Sequence, residues 1–263
     1  MYPLILICGN AGSGKDTFAD LICSQEQAVK IALADPIKQF VGRVWKIEDD
    51  VLWGPSELRN KKLNEEFVDR RFMESRQYDP DYLERWMKLV SSESTDVTSK
   101  ELYKWFRKHI VGRDLTVRDL LQKLATEFAR SRNPDVWIDV GLKTAHQLLS
   151  TQSVYGCRSG VCGADGLHNS LVVISDGRFR NEILKVKAQG GYVVKIIDPH
   201  AKKSDKHQSE TELDTVPEWW FNEVIVNDKT ERLSMEILAA RVENMLTRFR
   251  ELGRFGTDTF NFR

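Results

Sequence analysis

The segment that most restricts the fold is PLILICGNAGSGKDT, residues 3–17. Its apolar start, PLILIC, predicts a strand that is buried on both faces of a parallel sheet. After a glycine-rich loop, Phe18, Leu21 and Ile22 follow at the spacing of one helix face. A strand, a loop of the form GxxxxGK and a helix, in this order, are the context in which the pattern binds phosphate. We therefore predict a phosphate-binding loop.

The prediction of a phosphate-binding loop depends on its glycines. Gly9, Gly12 and Gly14 leave room for backbone N–H groups to turn toward a phosphate, and the start of the helix adds its positive end. Lys15 is expected to neutralise charge between the β and γ phosphates. The residues predicted to bind the nucleotide are Gly9, Asn10, Ala11, Gly12, Ser13, Gly14, Lys15, Asp16 and Thr17.

Asp16 departs from the loop pattern, which has Ser or Thr at this position to help hold Mg²⁺. A carboxylate beside polyphosphate is repelled unless a cation or a donor lies between them. We expect Asp16 to orient Mg²⁺, directly or through water, while the Thr17 hydroxyl contacts a phosphate nearer the sugar. In the alternative interpretation, Asp16 only favours the helix N-terminus through the helix dipole.

Four further apolar runs predict strands, and helical patterns separate them. The runs are VKIALA (29–34), SLVVISD (170–176), YVVKIID (192–198) and NEVIVND (222–228). Strands that alternate with helices form a parallel sheet with helices on both faces. We predict an α/β fold, doubly wound around a mainly five-stranded parallel sheet.

Residues 47–112 interrupt this alternation, because charged residues crowd in and no buried strand pattern occurs. We interpret them as a mostly helical insertion that covers a site, between core segments 1–46 and 113–263. After it, Thr116 is predicted to cap a helix over TVRDLLQKLATEFARSR. The segment from about residue 199 to residue 216 is predicted to form a lid, and the alternative is a solvated loop.

Asp176 ends the strand SLVVISD, at the edge where open α/β sheets bind ligands. An acidic strand end of this form is typical of a second group that organises Mg²⁺. The candidate metal ligands are therefore Asp16, Thr17 and Asp176. Arg178, Arg180 and Glu182 follow at once in DGRFRNE, for which the alternative is a solvated helix start.

Several short blocks together carry a family resemblance. GNAGSGKDT, LADPIK, LLQKLATEFAR, PDVWI, SDGRFRNE, a Gly-Gly pair before a strand and HQSETEL occur in this order. The order resembles the deoxynucleoside monophosphate kinases of tailed bacteriophages, over residues 1–46 and 115–230. The resemblance implies a P-loop kinase fold and transfer of the γ-phosphoryl of ATP to a deoxynucleoside 5′-monophosphate, with the insertion covering the acceptor.

The resemblance also implies residue roles. Lys15 and the loop hold ATP, and Asp16 works with Mg²⁺ at the reacting phosphates. Arg130 of EFAR, together with Asp176, Arg178 and Glu182, shapes the acceptor side. These residue types suit phosphoryl transfer, which relies on positioning and on cationic clamping of an anionic group. Arg118, Arg132 and Trp137 are further candidates, although Trp137 is an equally good core aromatic.

Two other functions remain as alternatives. One is a kinase of another small phosphorylated acceptor, such as phosphomevalonate. The other is a P-loop NTPase that acts on a macromolecule, but the sequence contains no DxxG or NKxD of a GTPase and no basic patch. Lys plus Arg and Asp plus Glu both number 39, so net charge gives no general attraction to nucleic acid or membrane.

The remaining expectations concern location, metal sites and assembly. The apolar stretch at residues 2–8 is too short to span a bilayer, and no basic segment precedes it, so we expect a cytoplasmic protein. Cys157 and Cys162, with His168 downstream, leave zinc as an alternative to a solvated loop, which is favoured because no CxxC and no fourth ligand occur. Resemblance favours a homodimer.

Overall fold

The computed structural model describes residues 3–91, 99–150, 171–200, 212–230 and 234–257. The strands are β1 Leu4–Cys8, β2 Ala28–Ile31, β3 Lys62–Leu63, β4 Leu115–Thr116, β5 Leu171–Gly177, β6 Tyr192–Ile197 and β7 Glu223–Val226. The helices are α1 Lys15–Gln25, α2 Asp35–Trp45, α3 Asp49–Trp53, α4 Glu65–Tyr78, α5 Pro80–Val90, α6 Ser99–His109, α7 Val117–Gln122, α8 Val136–Ser150, α9 Arg180–Ala188 and α10 Ser234–Thr257.

The main sheet has five parallel strands in the order β2-β5-β1-β6-β7. All five predicted strands are confirmed, although β2 ends at Ile31, three residues before the predicted end. The central strand β1 is fully buried, as its uninterrupted apolar sequence predicts. Because the strands are parallel, their carboxyl ends all reach the same edge.

Helices cover both faces of this sheet. Strand residues such as Ile5 and Val173 pack against Phe18 of α1 and Val242 of α10 on one face. On the other face, Gly141 of α8 lies against Leu33 and Ile174, and α9 packs on β1 and β6. The predicted doubly wound α/β fold is therefore confirmed. No helix in the described part of the chain is both long and apolar enough to cross a membrane.

The chain forms two compact units, residues 1–33 with 138–263, and residues 34–137. The predicted insertion, 47–112, lies wholly within the second unit. This unit is built around aromatic rings, and Trp45 lies among them with its side chain fully buried. Its ring centroid is 5.8 Å from that of Phe72 and 5.7 Å from that of Phe106, and its Nε1 donates to Val68 O at 3.0 Å.

The stretch after Thr116 differs in part from the prediction. Thr116 caps α7 as predicted, and Asp119 completes a reciprocal capping box. The next eight residues, Lys123–Arg130, form a π-helix rather than the regular α-helix expected from the sequence. The Trp137 indole, 5% exposed, donates to Ala125 O in this segment at 3.0 Å. The π-helix therefore leaves a carbonyl available to a core tryptophan.

The second unit contains a short antiparallel pair, β3 with β4, that the sequence did not predict. The Cys157 and Cys162 loop with His168 lies outside the described residues, as does most of the predicted lid, because residues 201–211 are not described.

We predict that Trp45→Ala lowers the free energy of unfolding by about 3–5 kcal/mol, because it removes buried ring contacts and leaves a cavity. Urea unfolding followed by far-ultraviolet circular dichroism measures the change. Trp219, which is 77% exposed, provides the control, and its replacement by alanine should change stability by less than about 0.5 kcal/mol. Equal effects of the two substitutions would contradict the packing of the second unit.

Candidate active site

The loop between β1 and α1 has the backbone of a phosphate-binding turn. Gly12 and Gly14 have φ values of 74° and 93°, in the left-handed region that favours glycine. A Cβ on Gly9 would lie 2.6 Å from both Ile196 O and Ser13 Oγ. Among the residues that the structure describes, the buried Ser13 hydroxyl has no hydrogen-bond partner. A bound phosphate would supply the missing partner, so the loop fits a phosphate group.

Lys15 is the buried charge of this site. Its side chain donates from Nζ to Asn10 O at 3.0 Å, and the residue is 6% exposed. Burial first, and the positive charge of Arg178 second, lower the pKa of Lys15 to about 8. Arg178 therefore lies within electrostatic range of Lys15, and an anion that reached both cations would offset their repulsion.

Two carboxylates lie near this ammonium group. Asp16 and Asp176 both act electrostatically on Lys15, in the direction that raises its pKa. Asp16 is exposed in the first turn of α1, and Asp176 near the end of β5 accepts the Leu33 N–H through Oδ1 at 2.7 Å. Thr17 is half-buried one residue further along α1.

The two carboxylates fit Mg²⁺, which keeps water and substrate ligands, better than they fit a metal ion whose ligands all come from the protein. Within the described ranges, no three His, Cys, Asp or Glu side chains come together to hold a metal ion. Mg²⁺ usually takes one or two carboxylates and completes its shell with water and substrate phosphates. Asp16 and Asp176, near a phosphate-binding loop, are a donor set of that kind.

Glu182 has a structural task at the start of α9. The residue is 3% exposed, and its Oε2 accepts the N–H groups of Arg178 and Phe179 at 2.7 and 2.9 Å. It therefore fixes the turn that carries Arg178 between β5 and α9. Because the Glu182 carboxylate is buried, the alternative interpretation of this residue as part of a solvated helix start is wrong. Burial and the charge of Glu182 also raise the pKa of the Cys8 thiol, which places Cys8 beside this group.

A family model for deoxynucleotide monophosphate kinase matches residues 3–237 of the chain. The chain belongs to the deoxynucleotide monophosphate kinase family. A protein of Acanthamoeba polyphaga mimivirus named "Putative deoxynucleotide monophosphate kinase" is 26% identical over 227 residues, which cover 86% of this chain and 89% of that protein. The resemblance seen in the sequence is confirmed, and the chain is a phosphotransferase with small nucleotides as substrates.

The kinase brings five of its predicted site residues together within the first unit. Lys15, Asp16, Asp176, Arg178 and Glu182 form one electrostatically connected group in the first unit. Arg130 ends the π-helix of the second unit and is half-buried there. Its role, like the catalytic and metal roles of the first group, stays a prediction.

The other candidate arginines of the kinase have structural contacts within the second unit. Arg118 donates to Asn60 Oδ1 at 3.0 Å and to the Ser56 backbone at 2.9 Å. Arg132 donates to Phe128 O at 2.9 Å, and its guanidinium lies 3.9 Å from the centre of the Phe128 ring. Trp137 is a core aromatic, as its burial and its bond to Ala125 O indicate.

Sequence reasoning missed two residues that touch the phosphate loop of the kinase. Asn227, just after β7, donates from Nδ2 to Ser13 O at 2.9 Å. Lys229 contacts Gly12 O and forms an ion pair with Asp198 at 3.1 Å. The signal was present in NEVIVND, because the end of a parallel strand lies at the same edge as the loop, but the strand order was unknown.

We predict that Lys15→Met stabilises the kinase at pH 7 and that this gain shrinks as the pH rises from about 8 to 10.5. Over that range the unfolded chain still holds the Lys15 proton and the folded chain has lost it, so wild-type stability rises with pH. Urea unfolding at several pH values measures the difference. The exposed Lys143→Met variant controls for loss of a surface lysine, and a gain that stays constant with pH would contradict the burial of charge at Lys15.

Proposed function

We propose that this kinase transfers the γ-phosphoryl group of ATP to a deoxynucleoside 5′-monophosphate and so forms the diphosphate. The observation that carries the proposal is the buried Lys15 in a glycine loop, with Arg178 beside it and two carboxylates at the same edge of the sheet. An ammonium and a guanidinium at one place suit a reaction in which the transferred group is anionic throughout. Family membership favours a nucleotide over both alternatives weighed from the sequence.

Each residue has a role in this proposal. Lys15 and the N–H groups of the loop bind the β and γ phosphates of the donor. Arg178 and Arg130 bind phosphate oxygens on the acceptor side, where a planar guanidinium offers paired donors. Glu182 holds the backbone that carries Arg178. Asp16, Thr17 and Asp176 hold Mg²⁺, which supplies positive charge at the reacting phosphates.

The rest of the chain completes the proposal. Residues 47–112 cover the acceptor nucleotide, and the segment of about 199–216 acts as a lid over the phosphates. Exclusion of water by such a cover directs the phosphoryl group to the monophosphate rather than to hydrolysis. We place the enzyme in the cytoplasm, where its nucleotides are dissolved, and we propose a homodimer.

A direct assay tests the reaction. ATP with Mg²⁺ is supplied with each deoxynucleoside monophosphate singly, and the diphosphate formed is measured. We expect turnover with at least one monophosphate and only slow ATP hydrolysis without an acceptor. No diphosphate with any monophosphate, together with ATP hydrolysis that a polymer stimulates, would contradict the kinase proposal.

A substitution at Asp16 distinguishes a role at the metal from a role in the helix dipole. Asp16→Asn should lower kcat on the order of 100-fold, because it removes a carboxylate that organises positive charge at the reacting phosphates. The dissociation constant for ATP should change much less, as expected for an interaction made mainly in the transition state. Steady-state kinetics and calorimetric titration measure the two quantities.

Asp20 is the matched control on the same helix. It lies one turn beyond Asp16 and pairs with Lys30 Nζ at 2.5 Å. A partly exposed ion pair of this kind contributes little to stability. Asp20→Asn should therefore leave the fold intact and kcat within about threefold of wild type. If Asp16→Asn stayed as active as Asp20→Asn, the helix-dipole interpretation of Asp16 would be correct instead.

A further inference from the structure

Asn227 holds the outer side of the phosphate loop. Its Nδ2 donates to Ser13 O at 2.9 Å in a buried hydrogen bond, and the residue is 6% exposed. The Asn227 backbone N–H donates in turn to Ile197 O at 2.7 Å, at the end of β6. The side chain therefore reaches the loop from a backbone that is itself tied to the sheet.

The same side chain fills the space beside Gly14. A Cβ added at Gly14 would collide with the Asn227 amide group, and Gly14 also has a φ of 93°. Two independent constraints thus require glycine at this position, one from the backbone and one from Asn227. The loop and the residue after β7 are packed as one piece.

The Ser13 carbonyl and the Gly14 N–H belong to one planar trans peptide, in which the C=O and N–H bonds point to opposite sides. When Asn227 holds the Ser13 carbonyl, the Gly14 N–H must point away from Asn227. Gly14 directly precedes α1, and N–H groups at a helix start bind anions. The direction of this N–H thus depends on the Asn227 amide.

Lys229 adds a second contact on the same side. Its Nζ contacts Gly12 O and pairs with Asp198 at 3.1 Å. Lys229 is about half exposed, whereas Asn227 is buried. A buried hydrogen bond controls the direction of a peptide better than a solvated cation does, since water competes for the latter.

We propose that Asn227 is a positioning residue of the phosphate loop, which directs the Gly14 N–H into the anion site and so sets the affinity for the triphosphate donor without touching it. This inference rests on the proposed function, because it takes the loop to be the donor site. The chemistry that Asn227 serves is recognition of a triphosphate by oriented backbone N–H groups.

Asn227→Ala tests the proposal. We expect the dissociation constant for ATP with Mg²⁺ to rise about tenfold, the effect of one lost hydrogen bond. The KM for ATP should rise with it, while the KM for the deoxynucleoside monophosphate stays unchanged. A purely structural residue would lower stability without separating the two substrates, and that result would overturn the proposal.

Two more variants sharpen the test. Asn227→Asp keeps the size of the side chain but loses the donor, so it should weaken ATP binding at least as much as Asn227→Ala. Asn222 precedes β7 and accepts Val193 N–H through Oδ1 at 2.9 Å, far from the loop along the same strand. Asn222→Ala removes a similar side-chain to backbone bond and should leave ATP affinity at the wild-type value. Equal losses in the Asn222 and Asn227 variants would overturn the proposal.

The binding measurement separates this inference from the proposed function. If wild type binds ATP but phosphorylates no deoxynucleoside monophosphate, the proposed function fails, and the ATP affinities of the variants still decide the role of Asn227. If both Asn227 variants fail to fold, Asn227 is a stability residue, and the inference is wrong. If wild type binds no ATP, both proposals are wrong.

Discussion

The buried ammonium group of Lys15 is the constraint around which the candidate site of the first unit is arranged. Removing a cation from water is unfavourable, and the loop offsets that cost with the Asn10 carbonyl and with the negative charges of Asp16 and Asp176. Arg178 acts in the opposite direction, since it adds a second positive charge nearby. Desolvation outweighs the two carboxylates, because the pKa of Lys15 stays well below its ordinary value.

The parallel sheet explains why these groups meet. β1 leads into the glycine loop, β5 ends beside Asp176 and Arg178, and β7 ends beside Asn227. Each belongs to a different part of the chain, but parallel strands release their carboxyl ends at one edge. Glu182 and Asn227 both bind backbone groups, the former at the turn into α9 and the latter at the loop. Rigidity of the site thus comes from buried polar groups that hold N–H and C=O groups in place.

Sequence reasoning succeeded where the determinants are local. The five strands, the glycine loop and the Thr116 cap each depend on residues within one short segment. Asn227 was missed because its partner, Ser13, lies 214 residues away in the sequence. Hydrophobic periodicity gives no strand order, so nothing placed β7 near the loop. The π-helix at Lys123–Arg130 was missed for a similar reason, since its stabilising contact with Trp137 is a tertiary one.

The contact between Leu33 and Gly141 has a consequence for how such a chain can vary. Leu33 is the last residue of the first unit before the chain passes into the second, and Gly141 lies just after the chain returns. The absence of a side chain at Gly141 lets Leu33 pack against its helix. The chain therefore leaves the first unit and returns to it at two points that are in contact with each other. Any segment whose two ends lie close together can be accommodated there without a change to the strands. Replacement of the segment between Leu33 and Gly141 is therefore a change that leaves both the strands and the loop after β1 intact.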